Sequence, residues 1–123
     1  MNGKKNKTQK RCKMTITEDR YVTEDGVNKK QRIVFLTKIN TAYMLNNDVL
    51  MVTALNPDSW DVALDENGDE NWYEIDEREP MAMDTIMVVQ KALGIEFIFK
   101  NKEPVFIDGY RIVNKKASVS KIY

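Results

Sequence analysis

The chain of 123 residues contains no histidine and a single cysteine, Cys12. Histidine is the usual general base near neutral pH and the most frequent metal ligand, so its absence excludes Ser/His and Cys/His nucleophile arrangements. One cysteine without histidine also excludes a tetrahedral zinc site and an internal disulfide. A lone cysteine suits a reducing compartment, and no secretory signal follows the basic N-terminus. Both features predict a cytoplasmic protein.

Glycine and long apolar runs are also scarce. The five glycines are isolated from one another, so no glycine-rich loop is available to bind the phosphates of a nucleotide. The longest apolar runs, such as Val49 to Val52 and Ile95 to Phe99 with Glu96 inside it, are far shorter than the ~18 residues that a membrane-spanning helix needs. With 42% hydrophobic and 31% charged residues, the composition is that of an ordinary globular domain, and it indicates neither a membrane segment nor a cofactor.

Charge is sorted along a chain whose net charge is zero. Residues 1–13 carry six cations and no acid, and they lack apolar side chains other than Met1 and Cys12. This composition predicts a flexible basic arm, followed by a single folded domain over residues 14–123. Residues 58–84, by contrast, carry eleven acids and one cation. The chain therefore offers two candidate surfaces of opposite charge.

The first half of the domain shows the pattern of a hairpin followed by a buried strand. Within residues 14–39, two stretches rich in β-branched and aromatic residues flank an Asp25-Gly26 turn. Asn40 to Asn47 breaks this pattern, and Asn46-Asn47-Asp48 tolerates the left-handed conformations that a turn requires. Val49 to Leu55 is a short continuous apolar run, which favours a buried strand. A short helix across Thr41 to Leu55 is the alternative.

A second hairpin is predicted around Asn67-Gly68. Apolar residues alternate with polar or small ones from Trp60 to Leu64, and a two-residue type I′ turn would pair Val62 with Tyr73. In that register Trp60, Val62, Tyr73 and Ile75 share a core face, because side chains alternate along a strand. The opposite face would be acidic, with Trp72 exposed on it.

A helix is predicted from Met81 to Leu93, because Pro80 suits a first helical turn and the apolar residues that follow recur at helical spacing. Gly94 is suited to end it. Residues 95–100 and 105–113 resume strand patterns. The predicted fold class is therefore α+β, with a small antiparallel β-sheet built of hairpins and one main α-helix packed on one face.

Two kinds of metal site can be tested against the acidic residues 58–84. Asp65, Asn67 and Asp69 have the spacing of the first three ligands of a calcium loop, but Glu70 stands where such a loop needs glycine. A carboxylate nuclease site starting at Asp58 would need an acid and a lysine two residues apart on a following strand, and no such pair follows. We therefore expect no metal and no enzyme. A metal-dependent hydrolase that uses carboxylates is the remote alternative function.

The function that the sequence favours is non-enzymatic recognition of a protein partner with a basic surface. A tryptophan flanked by acids can anchor a partner and steer a basic surface toward it, as an inhibitor or adaptor that imitates nucleic-acid charge would do. Exposed sheet edges would also permit a homodimer. The candidate binding residues are Asp61, Glu70, Trp72, Glu74, Asp76 and Glu77.

Nucleic-acid binding by the basic arm is the alternative. Contacts of the arm with phosphates would depend on salt and not on base sequence. Zero net charge and the lack of aromatic residues in the arm argue against this function. The arm's cations are Lys4, Lys5, Lys7, Lys10, Arg11 and Lys13, and the C-terminal stretch would add Lys115, Lys116 and Lys121.

Overall fold

Seven β-strands and one α-helix make up the part of the chain that the computed structural model describes, residues 15–75, 80–101 and 106–114. The α+β class predicted from the sequence is confirmed. The basic arm, Asp76, Glu77 and the C-terminal lysines lie outside the described residues. The elements are β1 (Thr15–Glu24), β2 (Val27–Leu36), β3 (Thr41–Asn46), β4 (Val49–Ala54), β5 (Tyr73–Glu74), α1 (Met83–Leu93), β6 (Ile95–Asn101) and β7 (Phe106–Ile112).

Strands β1 to β5 form one antiparallel sheet in chain order, and β6 and β7 form a separate two-stranded sheet. Strands β1 and β2 pair without a register break around Asp25 and Gly26, which adopt the positive φ angles of 52° and 76° that such a tight turn requires. The predicted first hairpin is confirmed. Strand β3 pairs with β2 only over Gln31–Leu36, so the outer part of the first hairpin extends beyond β3.

The turn indicated at Asn46-Asn47-Asp48 is confirmed, because Asn47 has a φ of 59° between β3 and β4. The break in pattern over Asn40 to Asn47, however, did not reveal that this segment contains strand β3. Asn40 adopts a left-handed conformation (φ 51°) that ends a short 3-10 turn and starts β3 in the antiparallel direction. The predicted strand at β4 is confirmed, and the alternative helix over the same residues is wrong. Residues 42–45 are all buried, so β3 lacks the polar alternation that would have identified it.

Helix α1 closes the main hydrophobic core against one face of the five-stranded sheet. Its buried residues Ile86, Val89 and Leu93 pack with side chains of β2, β3, β4, β6 and β7. Gly94 ends the helix in a left-handed conformation, and its N–H donates to the Gln90 carbonyl at 2.9 Å. The helix begins at Met83, two residues later than predicted, and otherwise matches the prediction.

A second apolar cluster lies on the opposite face of the sheet. Because side chains alternate along β2, Ile33 and Phe35 belong to this cluster while Val34 and Leu36 belong to the main core. Val62 and Trp72, from the long connection between β4 and β5, pack against it. The sheet is therefore covered by the helix on one face and by the connection between β4 and β5 on the other.

Candidate functional site

The segment that joins β4 to β5, residues 55–72, is named here the acidic connection. It contains six acids and no lysine or arginine. Leu55 and Trp72, at its two ends, both contribute to the second apolar cluster. Its acids therefore stand on a segment that is fixed to the sheet at both ends.

The first turn of the acidic connection is organised by Asn56. The Asn56 N–H donates to the Asp61 carbonyl at 2.8 Å, while the Asn56 carbonyl accepts from the Trp60 N–H at 2.6 Å. The Asn56 side-chain oxygen accepts from the Asp58 N–H at 2.8 Å. These bonds close a compact loop that places Asp58 and Asp61 at the surface.

The second turn differs from the predicted type I′ turn at Asn67-Gly68. The Asp65 carboxylate accepts the backbone N–H groups of Asn67 and Asp69 at 2.8 and 3.0 Å, and this side chain shapes a longer loop. Leu64 consequently lies opposite Glu70. The carboxylate that the calcium spacing assigned to the first ligand position thus serves the backbone of its own loop.

The predicted pairing beyond this turn is also wrong. Tyr73 and Glu74 pair with Val52 and Met51 of β4, so they continue the main sheet instead of a separate hairpin. As a result Tyr73 is 59% exposed, whereas Ile75 packs against the main core. The predicted core face is therefore not formed, because its four residues lie in different environments: Trp60, Val62, Tyr73 and Ile75.

Trp72 is half-buried, which corrects the prediction that it is exposed. Its ring packs against the second apolar cluster, and its indole N–H donates to Oε1 of Glu70 at 2.9 Å. The same carboxylate accepts two hydrogen bonds from the Arg20 guanidinium of β1. Arg20 also donates from Nε to Oε1 of Gln31 at 2.8 Å. This network of Arg20, Glu70 and Trp72 attaches the acidic connection to β1 and β2.

The structure therefore gives different surroundings to the predicted binding residues. It brings Glu70 and Trp72 into contact, in a network that holds the connection in place. Asp61 is exposed in the first turn, and Glu74 is exposed on β5. Asp76 and Glu77 lie outside the described residues.

Several carboxylates of this surface remain available to a partner. No ion pair with another described residue engages Asp58, Glu66, Asp69 or Glu74, and all four are exposed. Like charges concentrated on one segment give a local negative potential that attracts cationic surfaces. These four acids and Asp61 are exposed to solvent, whereas the Glu70 carboxylate is engaged by Arg20.

Two exposed apolar residues close to these acids in sequence were not predicted as binding residues. Leu64 is 62% exposed opposite Glu70. Tyr73 is 59% exposed on the edge strand β5, on the face that it shares with Ile75 and opposite to the face of Glu74. Alternation along the predicted hairpin assigned both to other positions, because the register of that hairpin was wrong. The correct pairing of β5 with β4 is the signal that would have found Tyr73.

The described residues offer little for metal chemistry. No group of three or more His, Cys, Asp or Glu side chains within residues 15–75, 80–101 and 106–114 is placed to hold a metal ion. Over the same residues, no helix has the length and apolar character needed to cross a membrane. The arrangement of acids beside Leu64 and Tyr73 is suited to contacts with a macromolecular surface.

Comparison of the chain with models of known families, with curated proteins and with solved structures finds no match.

Proposed function

We propose that the protein is a non-enzymatic binding module of the cytoplasm that recognises a partner with a basic surface through the acidic connection and Glu74. The observation that supports this proposal is the fixed attachment of an acid-rich segment whose exposed carboxylates Asp58, Glu66, Asp69 and Glu74 have no ion-pair partner among the described residues.

Attachment to the sheet matters for affinity. A loop that is ordered before binding loses little conformational entropy when it meets a partner, so more of the contact energy appears as affinity. The Arg20, Glu70 and Trp72 network and the packing of Val62 provide that order. Glu70 and Trp72 therefore support the surface from beneath, and the neighbouring acids make the contacts.

The surface combines charge with apolar contact. Charged rims accelerate encounter and select partners of opposite charge, whereas buried aromatic and aliphatic side chains contribute most of the binding energy. The exposed residues Leu64 and Tyr73 take the anchoring role that the sequence suggested for Trp72. A basic protein with an apolar depression between its cations would match this surface.

The proposal is tested by capture from lysate with two matched charge-reversal variants. Glu66→Lys/Glu74→Lys changes the candidate surface, and Glu24→Lys/Glu96→Lys makes the same change in charge at exposed acids elsewhere. We expect wild type and the second variant to retain a basic protein after nuclease treatment, and the first variant to lose it. Equal retention by both variants would refute the proposed surface.

An inhibitor or adaptor that imitates nucleic-acid charge is the sharper form of the proposal. Its partner would use one basic groove for the acidic connection and for nucleic acid, so the two would compete. The test is displacement of the captured partner by duplex DNA at constant salt. Displacement supports imitation, and a stable ternary complex would refute it.

A further inference from the structure

A cavity of about 200 Å³ lies where β2, the β3–β4 turn and the C-terminal end of α1 meet. None of the residues that line it belongs to the acidic connection, and it has no part in the function proposed above. Two cations, an acid, an amide and two leucines line it: Lys30, Arg32, Leu45, Asn47, Asp48 and Leu93.

Arg32 is the unusual residue of this cavity, because it is only 6% exposed. Arginine is almost never buried without a paired anion, and here Asp19 of β1 is that anion. Nε of Arg32 donates to Oδ1 of Asp19 at 2.8 Å, and Nη2 donates to Oδ2 at 3.2 Å. The pair follows from the strand register, which sets Asp19 directly opposite Arg32.

The remaining edge of the Arg32 guanidinium is available. Its Nη1 group makes no hydrogen bond to any residue in the described part of the chain. A buried N–H group without an acceptor is costly, so buried guanidinium groups normally have oxygen acceptors on every edge. Because Arg32 lines the cavity, an acceptor for Nη1 can come from a molecule bound there.

The charge around the inner wall of the cavity is unbalanced. Lys30 places its Nζ 3.6 Å from Oδ2 of Asp19, so two cations share one carboxylate. That carboxylate stays ionised. Burial acts to raise the pKa of Asp19, but the hydrogen bond and positive charge of Arg32, together with Lys30, hold it below its ordinary value. At this wall the cations outnumber the carboxylates by one, although the exposed Asp48 on the β3–β4 turn, counted with Asp19, makes the charges around the whole cavity equal in number. An anion placed beside Lys30 and Arg32 would neutralise the local excess.

The other walls set the shape of the ligand. Leu45 and Leu93 are buried apolar side chains, and Asn47 adds an amide. Asp48 also lines the cavity and is exposed, while the Tyr110 hydroxyl donates to its carbonyl at 3.2 Å and accepts from the Leu50 N–H at 2.9 Å. These bonds fix the β3–β4 turn against β7, so the cavity has one rigid wall.

We propose that this cavity binds a small organic anion, a carboxylate that carries a short apolar group. The carboxylate accepts from Nη1 of Arg32 and neutralises Lys30, and the apolar group packs against the part of Leu45 that remains exposed.

Titration of the full chain with benzoate, followed by the NMR signals of the arginine Nε–H groups, tests this site. Benzamide has the same shape without the charge and serves as the control ligand. We expect a saturable shift of the Arg32 signal with benzoate, a dissociation constant in the millimolar range, and no saturable shift with benzamide. No saturable shift with benzoate, or equal shifts with both compounds, would overturn the proposal.

Two variants of neighbouring lysines locate the charge. Lys30→Met removes the cavity cation and should weaken benzoate binding roughly tenfold, because hydrogen bonds and ion pairs to a charged group are worth that much. Lys29→Met removes the adjacent lysine, which pairs with Glu24 outside the cavity, and should leave binding unchanged. Equal weakening by both variants would show nonspecific attraction and refute the site.

Discussion

Replacing Asp19 by asparagine should destabilise the protein more than any exposed ion pair of the same hairpin would. The Arg32 side chain is 7% exposed and that of Asp19 is 20% exposed, so the pair is closer to a buried than to a surface salt bridge. Removal of one partner of a buried pair costs about 3 to 5 kcal/mol, and exposed pairs contribute about 1 kcal/mol or less. Because Asp19 retains some contact with water, we expect Asp19→Asn to lower the free energy of unfolding by about 2 to 3 kcal/mol.

Urea denaturation followed by circular dichroism gives this quantity, with Glu24→Gln as the matched control. Glu24 pairs with Lys29 in the same hairpin, but its side chain is 59% exposed, so its loss should cost about 0.5 kcal/mol or less. Replacing both members of the buried pair, as Asp19→Leu/Arg32→Met, should recover most of the loss, since apolar residues need no partner. Equal effects of Asp19→Asn and Glu24→Gln would refute the assignment of a buried pair.

Three further predictions concern the pair, the network and the helix end. The folded-state pKa of Asp19 lies below the ordinary value of 3.8, so the stability that this carboxylate contributes is complete above about pH 5 and is lost as the pH falls through the folded pKa. We therefore expect the difference in unfolding free energy between wild type and Asp19→Asn to decrease only at acid pH. Urea denaturation at several pH values measures this difference. Glu70→Gln should lower the free energy of unfolding by about 1 kcal/mol or less. It should nevertheless accelerate hydrogen exchange of the Asn71 N–H, which bonds to the Ala63 carbonyl at 3.0 Å. Unchanged exchange would contradict the role of the Arg20, Glu70 and Trp72 network. Gly94→Ala should lower the unfolding free energy by about 1 kcal/mol, because Gly94 has a φ of 71°, and thermal denaturation with no change in midpoint would contradict this.

The elements predicted correctly are those whose signals are local. The first hairpin follows from a turn with positive φ angles between two β-rich stretches, and α1 follows from helical spacing between Pro80 and Gly94. The position of the Asp25-Gly26 turn even fixes the register that sets Asp19 opposite Arg32. The buried ion pair was therefore implicit in the sequence once the turn was located.

The errors arose where contacts distant in sequence decide the structure. Burial of β3 on both faces removes the alternation that identifies a strand, and only its neighbours β2 and β4 explain it. The turn after Leu64 is set by the Asp65 side chain. Glu70, which accepts from the Trp72 indole, is held by Arg20, which lies fifty residues earlier. The local pattern, an Asn-Gly pair between stretches of alternating residues, predicts neither of these contacts.

The candidate site was accordingly predicted in composition but not in arrangement. The concentration of acids is visible in the sequence, and the structure shows which of them are exposed without an ion-pair partner among the described residues. In the proposed surface Tyr73 replaces Trp72 as the aromatic contact, because β5 pairs with β4 and not with the segment Trp60 to Leu64. Such a change cannot be found without the sheet.

The most direct test of the proposed binding surface is a hydrogen-exchange footprint of the captured partner on the full chain. The account predicts slower exchange over residues 58–74 in the complex, centred on Leu64 and Tyr73, with β6 and β7 unchanged. Slower exchange confined to residues 1–13, or to β6 and β7, would contradict it.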